Sequence, residues 1–164
     1  MTLDAYAVKA GTTSQLLLVF AGDADEPGAG RTSLRHDSPG ATAAFVREGE
    51  PAARPVPLSA GEVGRWSAGG FVEVDPDLLP GVYQFGAPDG MLAQGSTRAV
   101  LLFRFPGATV EPVEVDLVGY DPQDAVRLGM GAISPEARIE ALRGAFPRLT
   151  RRELQEEIAV KEQD

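Results

Sequence analysis

Arg98-Ala99-Val100-Leu101-Leu102-Phe103-Arg104-Phe105 runs into Pro106-Gly107, and after four intervening residues comes Pro112-Val113-Glu114-Val115-Asp116-Leu117-Val118. In the second segment Val113, Val115 and Leu117 alternate with Glu114 and Asp116, which sends apolar groups to one face of a strand and carboxylates to the other. The first is the strongest strand candidate of the chain, and Pro106-Gly107 ends it with a turn. No helical pattern separates the two. A parallel βαβ layout is therefore disfavoured, and an all-β domain with short turns is expected.

The same reading extends upstream. Asp4 to Lys9 alternates weakly and suits a first strand. Gln15 to Ala21 (Gln-Leu-Leu-Leu-Val-Phe-Ala) is so continuously apolar that a strand with no solvated face is expected. A polar loop from Gly22 to Gly30 follows, then extended character from Ala41 to Arg47. Glu48 to Pro57 carries three prolines and reads as an edge strand or a connection. Gly69-Gly70 precedes the alternating Phe71-Val72-Glu73-Val74-Asp75, and Leu79-Pro80-Gly81 turns into Val82-Tyr83-Gln84-Phe85. Seven or eight strands with closely spaced turns give the pattern of an antiparallel β-sandwich. Tyr83, just after Pro80-Gly81, is placed to bond back to the connecting backbone and fix a corner of the sandwich. Tyr120 is expected to pack at its base.

The chain changes character near its end. Of its 32 Gly and Pro residues, 29 precede Ser134. Ser134 is a natural N-cap with Pro135 at the first helical position, and Ile139, Leu142 and Phe146 then form one apolar stripe before Pro147. Thr150 and Glu153 make a capping box, Leu149 and Leu154 a hydrophobic staple, and Ile158 continues the second helix. The expected organisation is a sandwich over 1–124, a linker over 125–133 and a two-helix C-terminal segment over 134–164. Helices this short depend on packing, so Ile139, Leu142, Phe146, Leu149, Leu154 and Ile158 are candidate interface residues. Arg151 and Arg152 join them: they occupy a first turn, where the helix dipole prefers negative charge, so a partner carboxylate would compensate them.

Composition narrows the function. The 164 residues carry no Cys and one His, which removes disulfides, Cys nucleophiles and the usual zinc ligand sets. The net charge is −9, almost all of it before Ser134, and an acidic body repels phosphate backbones, so no nucleic-acid partner is expected. No apolar run reaches the roughly 18 residues of a membrane span. Met1 to Asp4 lacks the basic flank and apolar core of a signal peptide, and synthesis in a cytoplasm is expected.

Catalytic and metal signals are weak. His36 and Asp37 adjoin in a loop, which is not the convergent geometry of a Ser-His-Asp site. Asp23, Asp25 and Glu26 begin like a calcium loop, but Pro27 and Leu34 fall where ligands are required. Asp75 with Asp77, and Asp121 with Asp124, allow a loop calcium site between strands, but acidic turn residues are common without a metal. No catalytic residue, metal or cofactor is assigned. Loop carboxylates and Trp66 allow an alternative, a shallow carbohydrate- or receptor-binding site.

The series Gly69-Gly70-Phe71-Val72-Glu73-Val74-Asp75, Leu79-Pro80-Gly81-Val82-Tyr83, Pro88-Asp89 and Gly95, continued by Val115 to Asp124, resembles an immunoglobulin-like domain recurring in structural proteins of tailed bacteriophages. It is also similar, more loosely, to N-terminal domains of upper baseplate proteins that attach fibres or receptor-binding modules. The resemblance spans about 1–124. It implies a non-enzymatic virion component (tail, baseplate, neck or head decoration) that joins other virion structural proteins and forms a homo-oligomer, with no catalytic residue to carry over.

Overall fold

The computed structural model describes residues 5–120; the expected linker and tail helices lie outside the described residues. Among the described residues ten strands succeed one another with a single 3-10 turn at Asp89–Met91: β1 (Ala5–Lys9), β2 (Leu16–Asp23), β3 (Thr42–Arg47), β4 (Arg54–Val56), β5 (Ser59–Ala60), β6 (Gly70–Glu73), β7 (Val82–Gly86), β8 (Arg98–Arg104), β9 (Ala108–Val110) and β10 (Val113–Val118). They form two five-stranded sheets, in the orders β1-β10-β8-β3-β4 and β5-β6-β7-β2-β9.

Alternation decides which side chains meet between the sheets. Val113, Val115 and Leu117 of β10 and Ala99, Leu101 and Phe103 of β8 are buried from one sheet. Leu17, Val19, Ala21, Phe71, Tyr83 and Phe85 are buried from the other, and all belong to one core. Aromatic rings join the layers at its centre. Phe71 stacks on Tyr83 (centroids 4.7 Å apart) and on Phe105 (4.9 Å), while Phe85 meets Phe103 edge-on at 4.9 Å. Offset and edge-on geometries are those the ring quadrupoles prefer, each worth about 1 kcal/mol beyond area burial.

Three expectations are corrected. β2 does have a solvated face: Leu18 and Phe20 are 54% and 51% exposed, between the buried Leu17, Val19 and Ala21. Its apolar run reflects a core face plus an apolar outer face that no described residue covers, not burial on both sides. The sheets are not purely antiparallel, because β1 lies parallel to β10 and β5 parallel to β6. Each of those pairs is joined through a long intervening stretch rather than a tight turn, which a parallel pairing requires. Tyr120 is 47% exposed, so it does not fill the base of the core.

Short strands were the ones hidden from the sequence. β5 spans two residues and β9 three, too few for any alternation to register. The proline-bearing segment does make an edge strand, with Pro55 in β4 at the rim of its sheet.

Candidate functional site

The best-organised polar cluster is built around Tyr83. β7 carries this residue into the core, fully buried, with its hydroxyl reaching the segment that precedes β3. The hydroxyl donates to the Arg31 carbonyl at 2.7 Å and accepts from the Leu34 N–H at 3.1 Å. Glu73 Oε1 lies 3.4 Å away, and the Glu73 carboxylate accepts the Ser33 N–H, at 3.1 Å from Oε2. A phenol has one proton, and the shorter contact assigns it to Arg31. Burial pushes the Tyr83 phenol up to about 12, and the neighbouring Glu73 charge adds to that rise. Tyr83 thus holds a segment 49 to 52 residues upstream rather than the turn directly before it.

Two glycines make that approach possible. Gly30 lies flat against the Pro80–Gly81 peptide, where any Cβ would collide with the Pro80 carbonyl, and Gly81 itself has φ +85°. Arg31 is then pinned from outside by an ion pair to Asp23 at 2.8 Å, an interaction that holds the Asp23 carboxyl below the usual range. Asp23 Oδ1 also accepts the Asp25 and Glu26 N–H groups, and Asp75 Oδ1 accepts those of Asp77 and Leu78. These acids close turns of their own backbone.

Beside Tyr83, a cleft of about 430 Å³ opens between the 33–36 segment and β6. Ser33, Arg35, His36 and Glu73 are its polar lining, and Ser33 adopts φ 63°. Arg35 pairs with Asp37 at 3.1 Å, and His36 Nδ1 lies 4.0 Å from the same carboxylate. No serine, histidine and carboxylate converge here as a nucleophile, base and orienter would. Among the described residues no group of three His, Asp or Glu side chains gathers around a common point that would hold a metal ion. Trp66 stands apart from this cleft, its indole N–H donating to the Ala87 carbonyl at 3.0 Å.

Two features escaped the sequence reading. Arg47, last residue of β3, points inward and is 7% exposed; its Nη2 donates to the Ala93 and Gln94 carbonyls at 2.7 and 2.8 Å and its Nη1 to Glu50 at 3.3 Å. The inward phase was readable from Ala43 and Phe45, four and two residues earlier, but a cation at an inward position argues against itself. The second is an apolar outer face on the first sheet. Val46 and Leu102 are 36% and 48% exposed, with Val100, Ala44 and Pro55 beside them in register. The outward positions of β8 held Val100 and Leu102 in plain view between Arg98 and Arg104, and that pattern was the available signal.

Of the residues predicted to act in an interface, Ile139, Leu142, Phe146, Leu149, Arg151, Arg152, Leu154 and Ile158 lie outside the described residues, as do Asp121 and Asp124. No known protein-family model matches the chain, and no curated protein or solved structure does either.

Proposed function

We propose that the chain is a non-enzymatic assembly module with an immunoglobulin-like β-sandwich, serving as a structural component of a tailed-phage virion. The strand order supports the immunoglobulin-like reading. β3, β8 and β10 sit together in one sheet and β2, β6 and β7 in the other, the split of C, F, G against B, D, E, with β4 continuing past β3 as in the variable type. On this alignment Tyr83 belongs to the fifth main strand, not the sixth, which accounts for its long-range bonding.

The observation that carries the assembly reading is the apolar face of the β10-β8-β3-β4 sheet, centred on Leu102 and Val46, that no described residue covers. Contiguous exposed apolar groups on a rigid layer mark association surfaces. The polar groups of the domain are by contrast spent on its own loops: Tyr83, Glu73, Asp23, Asp75 and Arg47 all bind backbone. The test is mass spectrometry of purified particles. Peptides of this chain in fixed stoichiometry to the other particle proteins are expected, and their absence from particles made by cells that synthesise the chain refutes the reading.

A second reading, a carbohydrate- or receptor-binding module, draws on the cleft beside Ser33 and Glu73. Trp66 does not line it, so a sugar would lack an aromatic platform there. Glycan-array binding abolished by Glu73→Gln would favour this reading over the first.

A further inference from the structure

We infer that the outer face of the β10-β8-β3-β4 sheet docks on a second copy of itself, about a two-fold axis that runs along the strands between β8 and β3. The inference rests on the assembly reading above and adds the partner and the geometry.

The face can be laid out from its register. One lateral row sets Val46 beside Val100 and Val100 beside Glu114; the next sets Pro55 beside Ala44 and Ala44 beside Leu102. Apart from Glu114 at the β10 side, these two rows form an apolar centre. Above them lies a charged row, Glu48, Arg98 and Asp116, in which the Glu48 N–H bonds to the Arg98 carbonyl and Arg98 pairs with Asp116 at 3.0 Å. Below them Arg104 stands beside Thr42, and among the described residues Arg104 has no ion-pair partner.

Charge selects both the occupant and the axis. A two-fold contact brings a patch onto itself, so wherever one residue meets a second on the other copy, the second also meets the first. An in-plane axis perpendicular to the strands would set Arg98 against Arg104 of the other copy, like charge on like. An axis along the strands between β8 and β3 exchanges those two strands instead. Arg98 then faces Glu48 of the other copy and the reverse, Val100 faces Val46, and Leu102 faces Ala44. The pattern is self-complementary about one axis only, as an isologous interface must be.

Size sets the strength. At about 4.8 Å between strands and 3.3 Å per residue, the six- or seven-residue strands β10, β8 and β3 with the three-residue β4 beside them give a face of roughly 15–20 Å by 20 Å. Even doubled over two copies, that is below the roughly 1,200 Å² at which stable specific interfaces begin, so a weak, concentration-dependent dimer is expected rather than an obligate one.

The test is sedimentation equilibrium of the full chain over a wide concentration range. A monomer–dimer equilibrium is expected, with Leu102→Glu weakening it at least about a hundredfold by placing two carboxylates at the apolar centre. Arg98→Glu and Glu48→Arg should each weaken it by roughly tenfold, and the double exchange should restore it to near the original value, since the pairs reform with reversed sign. Circular dichroism checks that each variant folds. A single-copy mass at every concentration, a dimer indifferent to Leu102→Glu, or a double exchange no better than its singles overturns the inference. None of these outcomes touches the question of whether the chain is a particle component, which the particle analysis decides separately.

Discussion

Removing one oxygen atom tests whether the core hydroxyl organises the domain. Tyr83→Phe keeps the ring that stacks on Phe71 at 4.7 Å and deletes only the group that binds Arg31 and Leu34. The Leu34 N–H has no other acceptor among the described residues and belongs to a residue only 8% exposed, so in the variant it is buried without a partner. That costs about 1–3 kcal/mol, and the lost bond to the Arg31 carbonyl adds about 1 kcal/mol less whatever water restores. A net loss of about 2–3 kcal/mol follows, a large share of the 5–15 kcal/mol that stabilises a typical domain. Urea unfolding followed by the fluorescence of the single Trp66 measures it: the midpoint should fall by about 1–2 M with the slope unchanged. The alkaline limb gives an independent check. The folded phenol titrates near 12 against an ordinary value of 10.0, so the protonated form is favoured by folding. Its contribution is complete below pH 10 and is lost as pH rises toward about 12, at about 1.4 kcal/mol per pH step. Tyr83→Phe should lack that slope. A variant that loses less than about 0.5 kcal/mol, or that keeps the wild-type alkaline slope, refutes the reasoning.

Three further outcomes are expected. Gly30→Ala should destabilise by about 2 kcal/mol or more, because the new methyl meets the Pro80 carbonyl and must push the 29–31 segment off Tyr83; hydrogen exchange at Leu34 reports whether the anchor opens. Phe71→Ala should cost about 3–5 kcal/mol in the same urea assay, since Phe71 touches Tyr83, Phe103 and Phe105 at the centre of the core. For Asp23, held below 3.8 by Arg31, the stabilising contribution is present above pH 3.8 and disappears as pH falls through the lower folded value. Asp23→Asn should therefore be less stable than the parent near neutrality, and the gap should close in acid unfolding curves.

How much was legible in the sequence follows strand length and the direction of alternation. β8 and β10 announced themselves because six or seven residues carry enough alternation to separate inside from outside. β5 and β9 have no pattern of their own and are made by their neighbours. β2 shows the other failure: Leu18 and Phe20 look like core residues, and only the sheet order reveals that nothing among the described residues covers their side. Tyr83 bonds backbone, but in a segment set by the approach of Gly30 to Gly81 rather than in the turn before it, and no local spacing encodes that contact. Arg47 was missed because a buried cation is improbable until the carbonyls of Ala93 and Gln94 are seen converging on it.

The edges of the sheets explain why association should use a face. An exposed strand edge pairs with whatever edge it meets, and natural sheets blunt theirs with short strands and proline. Here three of the four outermost strands have only two or three residues: β4, which contains Pro55, β5 and β9. β1 is longer, at five residues. Next to β9, where β2 would otherwise present open backbone, the Tyr6 hydroxyl both donates to the Leu18 carbonyl at 2.9 Å and accepts its N–H at 3.2 Å, closing that stretch against an incoming strand. Edge pairing is largely foreclosed, whereas the patch of Leu102, Ala44, Val100 and Val46 itself carries no charge, Glu114 and Pro55 standing only at its two sides. A point change that reopened the β2 edge, Tyr6→Phe, should therefore leave the face-to-face equilibrium intact and instead promote slow aggregation, detectable as thioflavin-positive material on prolonged incubation. Loss of the reversible dimer in Tyr6→Phe, with no aggregation, would place the association surface at the edge and contradict the assignment to the face.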